Sequence, residues 1–305
     1  VAPERFENTF FLNLLRKIEI PLIAFDEAHC ISQWGHDFRP SYQSVIQKVF
    51  TLPQNFTIVA LTATATAEVQ QDIMSKLSIG QNDVVKTSTK RRNLIFKVNP
   101  TYQRQKFVVD YVANHEGQAG IIYCSTRKQV EELHEALNSE KIKSTIYHAG
   151  LTNKERIEAQ NDFLYDRVEV VIATNAFGMG IDKSNVRYVI HYNMPGDLES
   201  YYQEAGRAGR DGLKSECILL FSERDKGLHE YFITVSQADD DYKDKMGEKL
   251  TKMIQYTKTK KCLEATIVHY FEPNENLEEC NQCSNCIQEN KTYDMTREAK
   301  MIISC

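Results

Sequence analysis

Short apolar runs recur along the chain, separated by longer stretches whose apolar residues fall at helical spacing. The runs Leu22–Phe25, Ile58–Leu61, Gly120–Tyr123, Ser144–Tyr147, Glu169–Ala173, Tyr188–His191 and Cys217–Phe221 predict strands. Between them, Lys128–Leu137 and Asn153–Phe163 predict amphipathic helices. This alternation predicts a parallel α/β architecture. The segment Thr87–Thr101 has no strong period and carries Lys90-Arg91-Arg92, so it is expected to connect two sheets, one within residues 1–90 and one within about 95–225. From Ser222 onward the strand signal stops. Residues 223–272 predict charged amphipathic helices ending in the apolar Ile267–Phe271, and Met295–Ser304 predicts a further helix after a polar linker.

Composition narrows the class without naming a function. With 305 residues, 42% hydrophobic and 26% charged, the chain has the make-up of a globular protein of two or three domains. No apolar stretch reaches the ~18 residues of a membrane span. The opening Val1-Ala2-Pro3-Glu4-Arg5 is neither a signal peptide nor a natural start. Net charge is −5, so a nucleic acid would have to be met by local patches. Two basic clusters are candidates: Lys86, Lys90, Arg91, Arg92 and Lys97, and Lys252, Lys258, Lys260 and Lys261. Four of the eight cysteines fall between Cys262 and Cys286, which favours a metal over disulfides in a chain without a secretory signal.

The chemistry concentrates in a few strings. Asp26 and Glu27 follow the apolar run Pro21–Phe25, at the strand end where ligands bind in open α/β sheets. Paired carboxylates there suit nucleotide hydrolysis, one holding Mg²⁺ and one orienting water. The aromatic and basic residues behind them, through Pro40, suggest a site that reports to a nucleic acid. Leu61–Thr66 offers hydroxyls that could bridge the hydrolysis site to a neighbouring domain, or simply start a helix. Ile121–Arg127 is a strand-to-helix turn that can offer N–H groups and hydroxyls to a phosphate, or be an ordinary Ser/Thr cap. In Ala173–Asp182, Gly178 and Gly180 permit close backbone approach, Thr174 can reach a nucleic-acid phosphate, and Asp182 can bond a ribose hydroxyl or an arginine. In Tyr201–Gly212, Arg207 and Arg210 are three apart, so on a helix they would point to one side, with nothing nearby neutralising both. Cys262-x17-Cys280-x2-Cys283-x2-Cys286 has the spacing of a tetrahedral Zn²⁺ site, its first ligand opening a helix over Leu263–Phe271.

Taken together these strings resemble superfamily 2 helicases. The fifteen-residue string Asp26–Pro40 resembles the aromatic-rich loop of RecQ DNA helicases, and the resemblance covers essentially the whole chain. It implies two RecA-like parallel-sheet α/β lobes, the first one incomplete, followed by a small helical zinc-binding module. The corresponding units are 1–92, 93–222 and 223–290, with 291–305 as the start of a winged-helix domain. It implies a 3′-to-5′ ATP-dependent DNA helicase of recombination and repair, using ATP, Mg²⁺ and Zn²⁺. Catalytic roles fall on Asp26, Glu27, His29, Gln203, Arg207 and Arg210, Arg210 being the principal arginine finger. Cofactor contacts fall on Asp26, Gly180, Asp182, Arg207 and Arg210. DNA contacts fall on Trp34, His36, Phe38, Arg39, Ser125, Arg127, His148 and Thr174, and zinc falls on Cys262, Cys280, Cys283 and Cys286. Expected partners are single-stranded and duplex DNA and a single-stranded-DNA-binding protein, not a membrane, in the bacterial cytoplasm or a eukaryotic nucleus.

The family's Gly-x-x-x-x-Gly-Lys-Ser/Thr loop does not occur in the 305 residues, so the chain is expected to begin inside the first lobe and to be ATPase-deficient alone. Arg91-Arg92-Asn93 stands where the family has Arg-Pro-Asn, which puts the stiffness of the connection in question. The alternatives are an RNA helicase of the same superfamily and a non-catalytic, zinc-bearing DNA-binding fragment.

Overall fold

The computed structural model describes residues 1–35, 39–178 and 181–287. His36, Phe38, Gly180 and the expected winged-helix start at 291–305 lie outside the described residues. The first unit contains α1 (Thr9–Leu15), β1 (Leu22–Phe25), α2 (Pro40–Val49), β2 (Thr57–Ala60) and α3 (Ala67–Leu77). β1 and β2 pair in parallel, Leu22 opposite Thr57 through Phe25 opposite Ala60. Phe25, Ile31, Val45, Val49, Val69, Ile73 and Leu77 form a core separate from the rest of the molecule. Thr66 caps α3 by accepting from the Val69 N–H at 3.4 Å, so the helix-start reading holds for this hydroxyl.

The second unit runs β3 (Leu94–Pro100), α4 (Arg104–Ala113), β4 (Ala119–Tyr123), α5 (Arg127–Ser139), β5 (Ser144–Tyr147), α6 (Asn153–Leu164), β6 (Val170–Ala173), β7 (Val186–His191), α7 (Leu198–Ala205) and β8 (Ser215–Phe221). The sheet is parallel throughout, in the order β3-β8-β7-β4-β6-β5. Its central strands are apolar on both sides because both faces are covered. Val108, Val112, Val130, Leu133 and Leu137 of α4 and α5 pack on one face. On the other lie α6, α7 and two helices of the C-terminal segment, α9 (Asp240–Lys258) and α10 (Leu263–Phe271), which follow α8 (Glu223–Val235). The short α11 (Ser284–Ile287) ends the described chain.

β3 corrects the reading of Thr87–Thr101 as a connection. Leu94 and Phe96 alternate inward and are fully buried, with Val98 packed beside them, and β3 pairs with β8 at the sheet's edge. The basic residues masked this period-2 pattern. Lys97 itself bonds Glu216 of the neighbouring strand at 2.5 Å, so it serves the sheet. The connection before it is pinned rather than loose. Arg91 donates to the carbonyls of Ala208 and Gly209 at 3.2 Å each, and Asn93 donates to Gly209 and Leu213 at 2.8 and 3.1 Å.

Gly120 sits at a bulge in β4, opposite Tyr188 of β7, and a Cβ there would overlap the buried Tyr188 ring. Gly120→Ala is therefore expected to destabilise the second unit by about 1–3 kcal/mol through overpacking. A urea titration read by tyrosine fluorescence measures it, and an unchanged midpoint would contradict this account of the bulge.

Candidate active site

β1 is followed by Asp26, which is exposed and accepts the Glu27 N–H at 2.9 Å. Glu27 adopts left-handed backbone (φ 48°), a conformation that costs a non-glycine residue about 1–3 kcal/mol and is concentrated at functional sites. It is held by the ladder continuing past the strands: Leu61 N–H donates to Phe25 O at 2.9 Å and Ala28 N–H to Leu61 O at 2.8 Å. The chain then turns through Ala28–Ile31, burying His29. His29 Nδ1 lies 3.0 Å from the Thr62 hydroxyl and 3.3 Å from Glu27 Oε2. The Leu61–Thr66 string thus contacts the carboxylate site of its own unit.

α7 supplies the facing wall. Gln203 Nε2 lies 3.4 Å from Glu27 Oε2, a contact spanning the two units. Glu27, His29, Arg39, Asn175, Gly178, Gln203 and Arg207 line a cleft of about 240 Å³. That is a volume suited to a phosphate group and not to a whole nucleotide.

The two arginines do not lie on a helix, as their spacing predicted. α7 ends at Ala205, with Gly206 as its cap and Gly209 in the left-handed region (φ 57°). Arg207 turns inward and donates to Gly178 O at 2.5 Å. A Cβ at Gly178 would overlap its guanidinium, so glycine here lets Arg207 approach the backbone in this position. Arg210 donates to Ile181 O at 3.0 Å and to Asp182 at 3.1 Å, a pair in which Asp182 is 90% exposed. Arg210 is thus neutralised from 28 residues away, and of the two partners open to Asp182 the structure supplies the arginine. Arg207 lines the cleft and Arg210 stands outside its lining.

The residues expected at DNA are divided. Thr174 follows β6, and its N–H donates to Tyr147 O at 3.1 Å. His148 is buried, accepts the Gly150 N–H at 3.2 Å and lies 3.6 Å from Glu131. The Ser125 N–H, read as available to a phosphate, donates to Asn193 Oδ1 at 3.0 Å, and Thr126 caps α5. Arg127 is exposed at the first turn of α5. The N–H of Arg39 donates to Cys30 O at 3.1 Å. Trp34 is not a free stacking surface. It packs partly against the first core, with the Lys245 ammonium 3.3 Å from its ring centroid.

Sequence reading missed several polar residues that shape this region. Asp225 at the start of α8 accepts from Arg104, from Asn193 at 3.3 Å and from Ser222 N–H at 3.1 Å. His191 meets Glu204 at 2.9 Å in the interior. These partners lie far apart in sequence and no local pattern announces them. Lys245 and Lys249, one turn apart on α9, did offer a signal as a stripe on one helix face.

The four cysteine sulfurs lie within 4.8 Å of one another. Two pairs, Cys280–Cys286 and Cys262–Cys283, are 3.9 Å apart. A tetrahedron with Zn–S bonds of ~2.3 Å requires S···S separations of about 3.8 Å, so the thiols fit the ion. N–H groups already point at the sulfurs: Ala265 N at 3.4 Å from Cys262, Leu263 N at 3.3 Å from Cys283 and Cys283 N at 3.2 Å from Cys280. A hydrogen bond from the Cys262 thiol lowers the Cys283 pKa and raises that of Cys262, so the metal-free cluster favours the thiolate at Cys283 and the thiol at Cys262.

Residues 1–73 match the DEAD/DEAH box helicase family, 103–212 the helicase conserved C-terminal domain, and 223–287 the RecQ zinc-binding family. The chain is 46% identical over 305 residues to the ATP-dependent DNA helicase RecQ of Bacillus subtilis, covering all of this chain and 51% of that protein. It is 36% identical over 305 residues to the ATP-dependent DNA helicase RecQ of Pasteurella multocida, covering 48% of it. The chain thus spans about half the length of the curated relatives it matches. The structure of S. cerevisiae Dbp5 bound to RNA and ADP BeF3 superposes with a TM-score of 0.59 at 21% identity, over 79% of this chain and 67% of that one, which speaks to fold alone. The fold is that of RecA-like parallel-sheet α/β lobes followed by a helical zinc-binding region. Within that class the chain belongs to the RecQ helicase family. No helix among the described residues is long and apolar enough to cross a membrane.

Proposed function

We propose that the protein containing this chain is an ATP-dependent DNA helicase that moves 3′ to 5′ on single-stranded DNA and unwinds duplexes during recombination and repair. The observation that carries the reading is the Gln203–Glu27 contact across the cleft, with His29 and Arg207 on its walls. Asp26 would hold Mg²⁺, which supplies charge neutralisation on the phosphates. Glu27 orients the attacking water. His29, between Glu27 and Thr62, and Gln203, on the facing wall, make hydrolysis sensitive to the approach of the two lobes. Arg207 and Arg210 meet the charge that develops on the γ-phosphate, and Asp182 and Gly180 are the further nucleotide contacts proposed.

DNA runs past Ser125, Arg127, His148 and Thr174 at the C-terminal edge of the second sheet, where open α/β folds bind ligands. His36, Phe38 and Arg39 sense it by stacking and charge, and Trp34 stacks on it once Lys245 leaves the ring it covers. The units proposed are 1–92 and 93–222 for the lobes, 223–290 for the zinc module and 291–305 for the start of a winged helix. A single-stranded-DNA-binding protein would deliver substrate, in a bacterial nucleoid or a eukaryotic nucleus.

The test uses the full-length protein. ATP hydrolysis is expected to rise with single-stranded DNA far more than with RNA. Duplexes with a 3′ tail should be unwound and those with a 5′ tail left intact, and Glu27→Gln should abolish both activities. Equal stimulation by RNA would move the protein to the RNA-helicase reading.

A further inference from the structure

α9 reaches from the zinc-binding region to both lobes through two lysines one turn apart. Lys245 covers the Trp34 ring and pairs with Glu68 in the first turn of α3. Lys249 donates to the Trp34 carbonyl at 2.7 Å and lies 3.1 Å from Glu199 of α7. Its side chain is 14% exposed and that of Glu199 only 3%. Burial and the neighbouring Asp197 raise the Glu199 pKa, and the Lys249 charge opposes them. These residues line a cavity of about 380 Å³ between the first unit and the helical region.

Both ends of the Lys249 contact lead to Glu27. Glu199 stands one turn before Gln203 on α7, and Gln203 reaches Glu27 at 3.4 Å. On the other side, Trp34 is followed by Gly35, whose backbone packs so tightly on the His29 carbonyl that a Cβ would overlap it. His29 lies 3.3 Å from Glu27. A shift of the Trp34 carbonyl is therefore passed to His29 by direct contact, and a shift of Glu199 is passed to Gln203 by a rigid helical turn.

We infer that Lys249 is a positioning residue for ATP hydrolysis, tying the Trp34 loop to α7 so that DNA capture by the loop and placement of Gln203 on Glu27 occur together. The inference rests on the helicase reading above. Lys249 touches neither the hydrolysis carboxylates nor the proposed DNA contacts' side chains, and it acts through a backbone carbonyl and Glu199. A mere staple between lobes would, on removal, weaken every activity in proportion. A positioning residue changes the response to DNA.

The experiment compares full-length wild type with Lys249→Gln, Lys249→Arg and Glu199→Gln. Turnover and the KM for ATP are measured with and without saturating single-stranded DNA, together with hydrogen exchange of the peptide spanning residues 29–35. Lys249→Gln and Glu199→Gln are expected to lower the ratio of DNA-stimulated to basal turnover at least fivefold. The KM for ATP and the half-saturating DNA concentration should stay within twofold, and exchange at Trp34 and Gly35 should rise. Lys249→Arg should restore the ratio, because it keeps the charge and the reach. Retention of the full ratio by both neutral variants, or an equal fall in basal and stimulated turnover, overturns the positioning role while leaving the helicase reading intact. A wild type whose turnover ignores DNA defeats the helicase reading and the positioning role with it.

Discussion

Arg210→Ala in the full-length protein is expected to lower the turnover of ATP by about 10³-fold or more, with ATP binding changed only a few-fold, as for arginine fingers at other phosphoryl-transfer sites. The structure distinguishes the two arginines by their freedom to act. Arg207 is buried and one of its guanidinium nitrogens donates to the Gly178 carbonyl. Removing it would strip that carbonyl of its donor and loosen the cleft wall, so its loss mixes structure with chemistry. Arg210 is 38% exposed and held by a carboxylate that is itself almost fully exposed. Surface pairs of this kind contribute about 0–1 kcal/mol, which a γ-phosphate carrying more charge outcompetes. Arg210 can therefore leave Asp182 when the nucleotide is present. A factor of 10³ corresponds to about 4 kcal/mol of transition-state stabilisation, far above what the Asp182 pair contributes to the fold. Rapid-quench measurement of the chemical step checks the effect. Turnover within tenfold of wild type would transfer the finger role to Arg207, the arginine that already lines the cleft.

What the sequence disclosed about this site was local chemistry, and what it withheld was geometry between distant segments. Asp26-Glu27-Ala28-His29 was legible because a strand and its ligand-binding end are adjacent in the chain. The zinc thiols were legible because two Cys-x-x-Cys turns fix their own spacing. β3 was not legible because Lys97 and Asn99 interrupt its apolar run, and because its partner β8 lies more than a hundred residues away. The arginines were placed on a helix because a spacing of three resembles one. Gly206 and Gly209, which end the helix and turn the chain back, matter through their backbone angles and not their side chains. The resemblance gives Trp34 a DNA contact, and nothing near it in the sequence announces what covers its ring. The lysine that covers it comes from a helix more than two hundred residues later.

Removing zinc is expected to unfold residues 262–287 and to weaken the second lobe with them, a larger consequence than a module appended in sequence would suggest. The thiols hold the start of α10 against α11. Small metal modules draw about 10–16 kcal/mol of apparent binding energy from Zn²⁺ at neutral pH, most of which is folding energy. Here that energy is shared. Leu263, Ile267 and Phe271 of α10 and Leu250, Met253 and Tyr256 of α9 belong to the same core as Leu94, Phe96 and Cys217 of the sheet. Phe271 packs on Tyr202 with ring centroids 5.3 Å apart, and Tyr256 packs on Tyr201 at 5.4 Å. Gln282 donates to the carbonyls of Arg92 and Leu94, and the Val98 N–H donates to Ser284, so the cysteine region also covers the edge of β3. Losing even a few kcal/mol from this shared core lowers the melting temperature by ~10 °C in a unit of this size. The first unit, whose core is separate, should keep its structure. Cys283→Ser, or exhaustive chelation, should lower bound zinc from one equivalent toward none. Proteolysis should then cut first within residues 262–287 and next near β3, before any cut in α2 or α3. A metal-free protein with an unchanged melting temperature and the wild-type cleavage pattern would mean that the apolar core alone holds the module on the sheet.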